Sequence, residues 1–158
     1  MEYKFRGKNK SNDSWFYGGF HKHEKYTGCP VFARGEEPTE PEYEFLIIES
    51  GFSDWNLPKP LQAHIVTPES VGQYINRKDN NGKEIYTGDI VQVKLSAGYS
   101  ECYEWKTFIV VFDEKQLSYT LQPVGDMSPW FGVNALKYAS EVEVVGNIID
   151  NPELAEKV

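Results

Sequence analysis

The sequence predicts a mainly β protein: an SH3-like small barrel with an N-terminal β-hairpin lobe and one or two short helices. Three observations carry that prediction. Aromatic residues make up 15% of the chain, and such side chains suit a pleated, half-buried surface. Thirteen glycines and nine prolines punctuate the chain, so long helices are interrupted. Five short segments separated by turns follow residue 84, a spacing typical of all-β barrels and sandwiches.

Taken in order, the first strand is read at Tyr3–Arg6, where Tyr3 and Phe5 alternate with Lys4 and Arg6. Gly7–Ser14 is a polar turn, and Trp15–Phe20 is the returning strand, with Gly18-Gly19 marking a bend or bulge. Residues 21–42 collect breakers and acids, with only Val31-Phe32-Ala33 strand-like, and read as a surface loop. Tyr43–Glu49 is a strand apolar enough to be covered on both faces. Gly51–Pro58 turns the chain, and Gln62–Val66 is a further short strand.

Thr67 fits a helix N-cap, Pro68 is preset for the first helical position, and Glu69 suits the positive helix end. One or two helical turns are therefore expected over Thr67–Tyr74, stopping near Gly72. Asp79–Lys83 is a turn whose Asn81-Gly82 suits the two positive φ values of a type I′ hairpin. Thr87-Gly88-Asp89 reads as a bulge ahead of the alternating strand Ile90–Leu95. Strands follow at Trp105–Asp113 and Ser118–Pro123, joined through Asp113–Gln116. Asn134–Tyr138 suits either a helical turn or a short strand, and Glu141–Ile149 closes the sheet. Asn151-Pro152-Glu153 repeats the cap-Pro-Glu pattern and predicts a short C-terminal helix. The whole reads as a single domain over 1–158, with an N-terminal β lobe (1–65), a barrel-like core (66–150) and the helix (151–158).

No run of about 18 apolar residues exists, so no transmembrane helix is expected. The N-terminus lacks the apolar stretch of a secretory signal. Cys29 and Cys102 are too few for a disulfide framework and read as reduced thiols of a cytoplasmic protein. Net charge is −8, unevenly spread. Residues 1–35 hold seven Lys/Arg against three acids (+4), and the rest hold nine against 21 (−12). The basic segment would suit nucleic acid or the acidic part of a neighbouring subunit.

The run Pro68-Glu69-Ser70-Val71-Gly72-Gln73-Tyr74, continued by Asp79-Asn80-Asn81-Gly82-Lys83-Glu84-Ile85-Tyr86-Thr87-Gly88-Asp89-Ile90-Val91, resembles the signature of the YopX family. Val144-Val145-Gly146-Asn147-Ile148, with Asn151-Pro152-Glu153-Leu154 beyond it, resembles the family's closing motif. Arg6-Gly7-Lys8 and Trp15-Phe16-Tyr17-Gly18 are similar in kind. The departure is Ile75-Asn76-Arg77, where family members usually carry Thr-Gly, which alters the turn geometry. The resemblance implies a mostly-β domain encoded by phages or prophages, of undefined activity, working in the bacterial host cell. It brings Pro68, Glu69, Gly72, Gln73, Asp79, Gly82, Gly88, Asp89, Gly146 and Asn147 as structural signature residues and no catalytic ones.

Candidate chemistry is thin. His21-x-His23 with Cys29, joined by His64, offers good zinc ligands without the paired spacing of zinc modules. Glu69, Asp79, Glu84 and Asp89 offer carboxylates for acid/base work or magnesium, but Glu69, Asp79 and Asp89 each have a local structural task. Ser70 lacks a nucleophile elbow, and no phosphate-cradling glycine loop appears. No enzyme activity, metal or cofactor is expected.

Two binding readings follow. The first is a noncatalytic module that contacts a protein partner or self-associates, with no membrane role. The alternative is nucleic-acid binding by the basic N-terminal hairpin (Lys4, Arg6, Lys8, Lys10, with Trp15, Phe16 and Tyr17) and the 76–83 turn (Arg77, Lys78, Lys83). A pI of about 4.9 counts against that alternative. A weaker idea is an acidic decoy that mimics DNA.

Overall fold

The computed structural model describes residues 3–25, 41–54, 57–96, 103–125, 136 and 139–156. The chain is mainly β with antiparallel pairing, and it divides into two compact units, Lys4–Val71 and Gly72–Val158 together with Met1–Tyr3. The expected strand-like Val31–Ala33 and most of Asn134–Tyr138 lie outside the described residues, as do Cys29 and Cys102.

In the unit Lys4–Val71, β1 (Phe5–Lys8), β2 (Trp15–Lys25), β3 (Glu42–Ser50) and β4 (Leu61–Val66) lie in the order β4-β3-β2-β1. Asn9 shapes the first turn, its side-chain oxygen accepting from the N–H groups of Ser11 and Asn12. Strand β2 is long because it serves two partners. Trp15–Gly18 pairs with β1, and Gly19–Lys25 pairs with β3. The handover falls at Gly18-Gly19, and a Cβ on Gly18 would sit 2.1 Å from the Ile48 carbonyl oxygen. Only glycine permits that approach.

Cross-strand neighbours share a face of the sheet. Phe5, Phe16, Phe20, Phe45, Ile47, His64 and Val66 thereby line one face, with Phe5 and Phe20 rings 5.4 Å apart and Phe20 and Phe45 rings 6.0 Å apart. The sheet curls enough for its first and fourth strands to meet. Asn9 bridges Val66, and the Thr67 N–H donates to the Lys8 carbonyl at 3.0 Å.

The helix expected over Thr67–Tyr74 is instead one 3₁₀ turn, Pro68–Ser70, followed by extended chain. Thr67 makes no side-chain cap. The Ser70 hydroxyl donates to the Thr67 carbonyl and accepts from the Lys8 N–H, both at 2.7 Å. This buried serine spends the local signal on a tertiary link, and strand pairing takes over from Gly72.

In the second unit, β5 (Gly72–Lys78) and β6 (Glu84–Tyr86) form a hairpin. Its loop is not the expected type I′ turn: only Gly82 of Asn80–Gly82 has a positive φ, 83°, and the Gly82 N–H donates to the Asp79 carbonyl. Asn76 takes φ 59° where the β5–β6 register slips. Asparagine tolerates that left-handed conformation better than other residues with a side chain, which fits the departure at this position.

The remaining strands, β7 (Asp89–Ser96), β8 (Tyr103–Asp113), β9 (Ser118–Pro123) and β10 (Glu141–Asn147), form a sheet in the order β10-β7-β8-β9. One face supplies the core: Val91, Val93, Phe108, Val110, Leu121, Val142 and Val144, joined by Ile85. Strands β9 and β10 remain edges, so the sheet is open and the described residues form no closed barrel, contrary to expectation. Alternating side chains set the faces of a strand, whereas closure depends on which edges meet. A bulge interrupts β10 between Val144 and Gly146. The short helix α1 (Pro152–Ala155) follows with Pro152 in its first turn and no side-chain cap from Asn151.

Candidate binding surface

The signature residues are joints of the fold. Thr87-Gly88 forms a tight turn between β6 and β7, where a bulge was expected, with Gly88 at φ 83°. Around it, the Gln73 N–H donates to Thr87 Oγ1 and the Thr87 N–H to the Gln73 carbonyl. The Gly88 N–H donates to the Val110 carbonyl, and the Ile148 N–H to the Gly88 carbonyl. Asn147 Oδ1 accepts from Ile149 and Asp150, which turns the chain after the Gly146 bulge. Pro68 and Glu69 are exposed on the 3₁₀ turn, and buried Gly72 begins β5.

The four candidate carboxylates are engaged separately or exposed. Asp79 is buried, with Oδ1 accepting from the Asn81 and Lys83 N–H groups and Oδ2 from that of Val144. Burial pushes its pKa up, but those three N–H donors and the Lys83 charge outweigh it and hold the carboxyl below its ordinary 3.8. Asp89 is buried and accepts from the Tyr86 N–H. Glu84 accepts from the Tyr86 hydroxyl at 2.6 Å, and Glu69 is exposed.

The histidines divide between two faces. His21 stands opposite Leu46 and His64 opposite Ile47, and consecutive residues of β3 point to opposite sides. His64 therefore does not join the His21–His23 pair. It stacks on Phe16 at 3.6 Å between ring centroids and bonds Glu49 at 2.9 Å. No group of three or more His, Cys, Asp or Glu side chains able to hold a metal forms among the described residues.

The basic residues expected to meet nucleic acid have mixed placements. Arg6 and Lys8 alternate along β1 and share a face, and Lys4 stands just before the strand. Lys4 lies over the Tyr17 ring at 5.8 Å, and buried Arg6 lies over Trp15 at 4.8 Å. Lys8 pairs with Asp13 at 3.5 Å, and Lys10 is exposed. In the other unit Arg77 donates to the Leu136 carbonyl, whereas Lys78 and Lys83 are exposed. The +4 and −12 halves of the sequence do not correspond to the two units. Lys4–Val71 holds eight Lys/Arg against ten acids (−2), and the other unit holds eight against 14 (−6). Lys25 meets Glu42 and Glu44 across the sheet, each at 3.7 Å.

The surface that sequence reasoning missed is strand β4. It ends the sheet order, and Leu61 (76% exposed), Ala63 and Ile65 (46%) project from one face. Phe52 (89%) and Leu57 (66%) stand exposed in the preceding connection. The Gly51–Pro60 bond at 2.7 Å sets the phase of the β3–β4 ladder. By antiparallel alternation the backbone groups of Leu61, Ala63 and Ile65 then point away from β3, and at the Ile65 end that side is taken by the Asn9–Val66 bridge, so the open stretch is Leu61–Ala63. A groove of about 540 Å³ runs beside it, lined in part by Asn9, Lys10, Ala63, Ile65, Val66 and Pro68. The sequence signal was the alternation Leu61-x-Ala63-x-Ile65 after Pro58 and Pro60.

Among the described residues no helix is long and apolar enough to cross a membrane. No curated protein matches the chain. A solved structure described as the crystal structure of protein EF1440 from Enterococcus faecalis is similar at 17% identity and a TM-score of 0.47, with 99% of each chain covered. The family model described as YopX protein matches residues 4–156, nearly the whole length. Its span takes in both the central run from Pro68 and the closing Val144–Ile148 segment, and the chain belongs to the YopX family.

Proposed function

We propose that this chain is a noncatalytic β domain of phage or prophage origin that acts in the host cytoplasm by protein contact through the exposed apolar face of β4. The observation that carries the reading is the exposure of the Leu61, Ala63 and Ile65 side chains on one face of β4, with the Leu61 and Ala63 backbone groups facing outward ahead of the Asn9–Val66 bridge. Proteins blunt such edges with proline, lysine or a covering element, because an open apolar edge recruits another chain. Here Pro58-Lys59-Pro60 blunts the approach to β4, and the strand itself keeps its apolar side chains. The use of Asp79 and Asp89 as backbone acceptors supports the noncatalytic part of the reading.

Affinity capture from host extract tests it, comparing the native chain with a Leu61→Lys/Ile65→Lys variant whose circular dichroism is unchanged. Proteins held by the native chain and lost by the variant are expected. Identical recoveries would remove β4 from consideration.

A second reading is nucleic-acid binding by either basic hairpin, favoured by the exposure of Lys10, Tyr17, Lys78 and Lys83. Fluorescence anisotropy of labelled DNA and RNA at rising salt tests it. Salt-sensitive binding that disappears in a Lys10/Lys78/Lys83 alanine variant supports the reading, and no binding at low salt dismisses it.

A further inference from the structure

We infer that the chain self-associates through β9: two copies pair their β9 strands antiparallel about a two-fold axis at Thr120 and join their four-stranded sheets edge to edge. This edge lies in the other unit and is independent of β4. The Val124 N–H donates to the Thr107 carbonyl at 3.1 Å, which sets the phase of the β8–β9 ladder. Ile109–Gln122, Val111–Thr120 and Asp113–Ser118 are then the hydrogen-bonded pairs, and the backbone groups of Tyr119 and Leu121 point outward. Among the described residues no strand pairs with them. The opposite edge of the sheet is taken, because Val142 exchanges bonds with Asn80 and the Val144 N–H donates to Asp79.

The composition of β9 selects a second copy as the occupant. Exposed edges are ordinarily blunted by charged side chains, yet Ser118–Gly125 holds none in a chain that is 25% charged. Antiparallel self-pairing therefore opposes no like charges. With the axis at Thr120, Tyr119 of each copy meets Leu121 of the other, and all four residues bring outward N–H and C=O groups. An axis at Leu121 would set Tyr119 against Pro123, which has no N–H to give. The side chains agree with the first register. Within one copy Phe112 stands opposite Tyr119 and Val110 opposite Leu121, all on one face. Pairing continues this row, apolar to apolar, from Phe112 (47% exposed) and Tyr119 of one copy to the buried Leu121 and Val110 of the other. On the opposite face Thr120 meets Thr120, a favourable cross-strand pair, and Ser118 meets Gln122.

Sedimentation of the full chain over a range of concentrations should show a species of twice the 18.1 kDa chain mass. The Tyr119 and Leu121 amides should gain protection from hydrogen exchange as concentration rises. Ser118 and Gln122 are exposed and oppose each other across the axis, so substituting them reads the register. Ser118→Lys/Gln122→Lys sets lysines against each other at both ends and should weaken the dimer about tenfold. Ser118→Lys/Gln122→Glu sets Lys against Glu and should hold the dimer. Tyr119→Pro removes an outward N–H that the β8 ladder does not use, and it should abolish the dimer while circular dichroism persists. A monomer at every concentration, equal dimerisation of the two lysine variants, or a dimer that survives Tyr119→Pro would each overturn the inference. A dimer lost with Leu61→Lys/Ile65→Lys but kept by all the β9 variants would place self-association on β4 and overturn it as well.

Discussion

The Asp79 carboxylate accepts a hydrogen bond from the Val144 N–H at 3.1 Å, 65 positions further along the chain. Its other oxygen holds the Asn81 and Lys83 N–H groups at 2.8 Å each. One side chain thus shapes the β5–β6 loop and fastens β10 to it. Asn80 adds to that link: its N–H donates to the Val142 carbonyl, and its Oδ1 accepts from the Val142 N–H.

Asp79→Ala should destabilise the chain by about 3 kcal/mol, because it strips three backbone donors of a charged acceptor. Asp79→Asn keeps one acceptor oxygen and should cost less. Denaturant unfolding monitored by tryptophan fluorescence measures both. An unchanged midpoint for the alanine variant would mean these bonds contribute nothing net.

The same carboxylate sets an acid limit. Its folded pKa lies below its ordinary 3.8, so the folded state binds this proton less readily than the unfolded chain does. The stability it contributes is complete above the ordinary value and is lost as pH falls through the depressed folded value. Unfolding free energy followed downward from pH 5 should therefore drop less steeply in Asp79→Asn than in the native chain. Parallel curves would contradict this assignment.

Two glycines should fail for different reasons. Gly18→Ala places a Cβ against the Ile48 carbonyl oxygen, and relief requires the β2–β3 backbones to part, so a loss above about 2 kcal/mol is expected. At Gly88 a Cβ would meet Ile148 at an ordinary 3.6 Å, and only the φ of 83° is unfavourable. Gly88→Ala should cost about 1–2 kcal/mol, and Gly88→Asn less. Thermal melts of the three variants should rank in that order.

Much of this architecture was legible in the sequence, because it rests on local rules. Tyr43–Glu49 and Ile90–Leu95 fall within β3 and β7, where alternation and β-branched residues act over a few positions. Gly18-Gly19, read as a bend or bulge, is instead where β2 passes from β1 to β3, and the pairing carries the strand through His21–Lys25, which reads as loop in the sequence. The misreadings share a cause in distant contacts. Thr67-Pro68-Glu69 is a sound helix start, but Ser70 is tied to Lys8 and Gln73 to Thr87. Asn81-Gly82 is a sound type I′ signal, but the Asp79 side chain holds a different loop. At the candidate surface, alternation showed that Ala63 and Ile65 share a face of β4. It could not show that this face is uncovered, because exposure belongs to the sheet order and not to the strand.

The meeting of β1 with the chain beyond β4 has a consequence for the order of events in folding. The Lys8–Ser70 bond joins residues 62 positions apart, whereas β1 and β2 are joined by a short turn. Closing a long loop costs more entropy than closing a short one, so the hairpin is expected to form early and the Lys8–Ser70 latch late. A late contact is absent from the transition state, and its removal accelerates unfolding while leaving the folding rate nearly unchanged. Ser70→Ala should therefore raise the unfolding limb of a stopped-flow chevron and leave the refolding limb in place. A matching fall in the refolding rate would instead place the latch in the nucleus. In the expected case Ser70 governs the lifetime of the folded unit rather than the speed of reaching it.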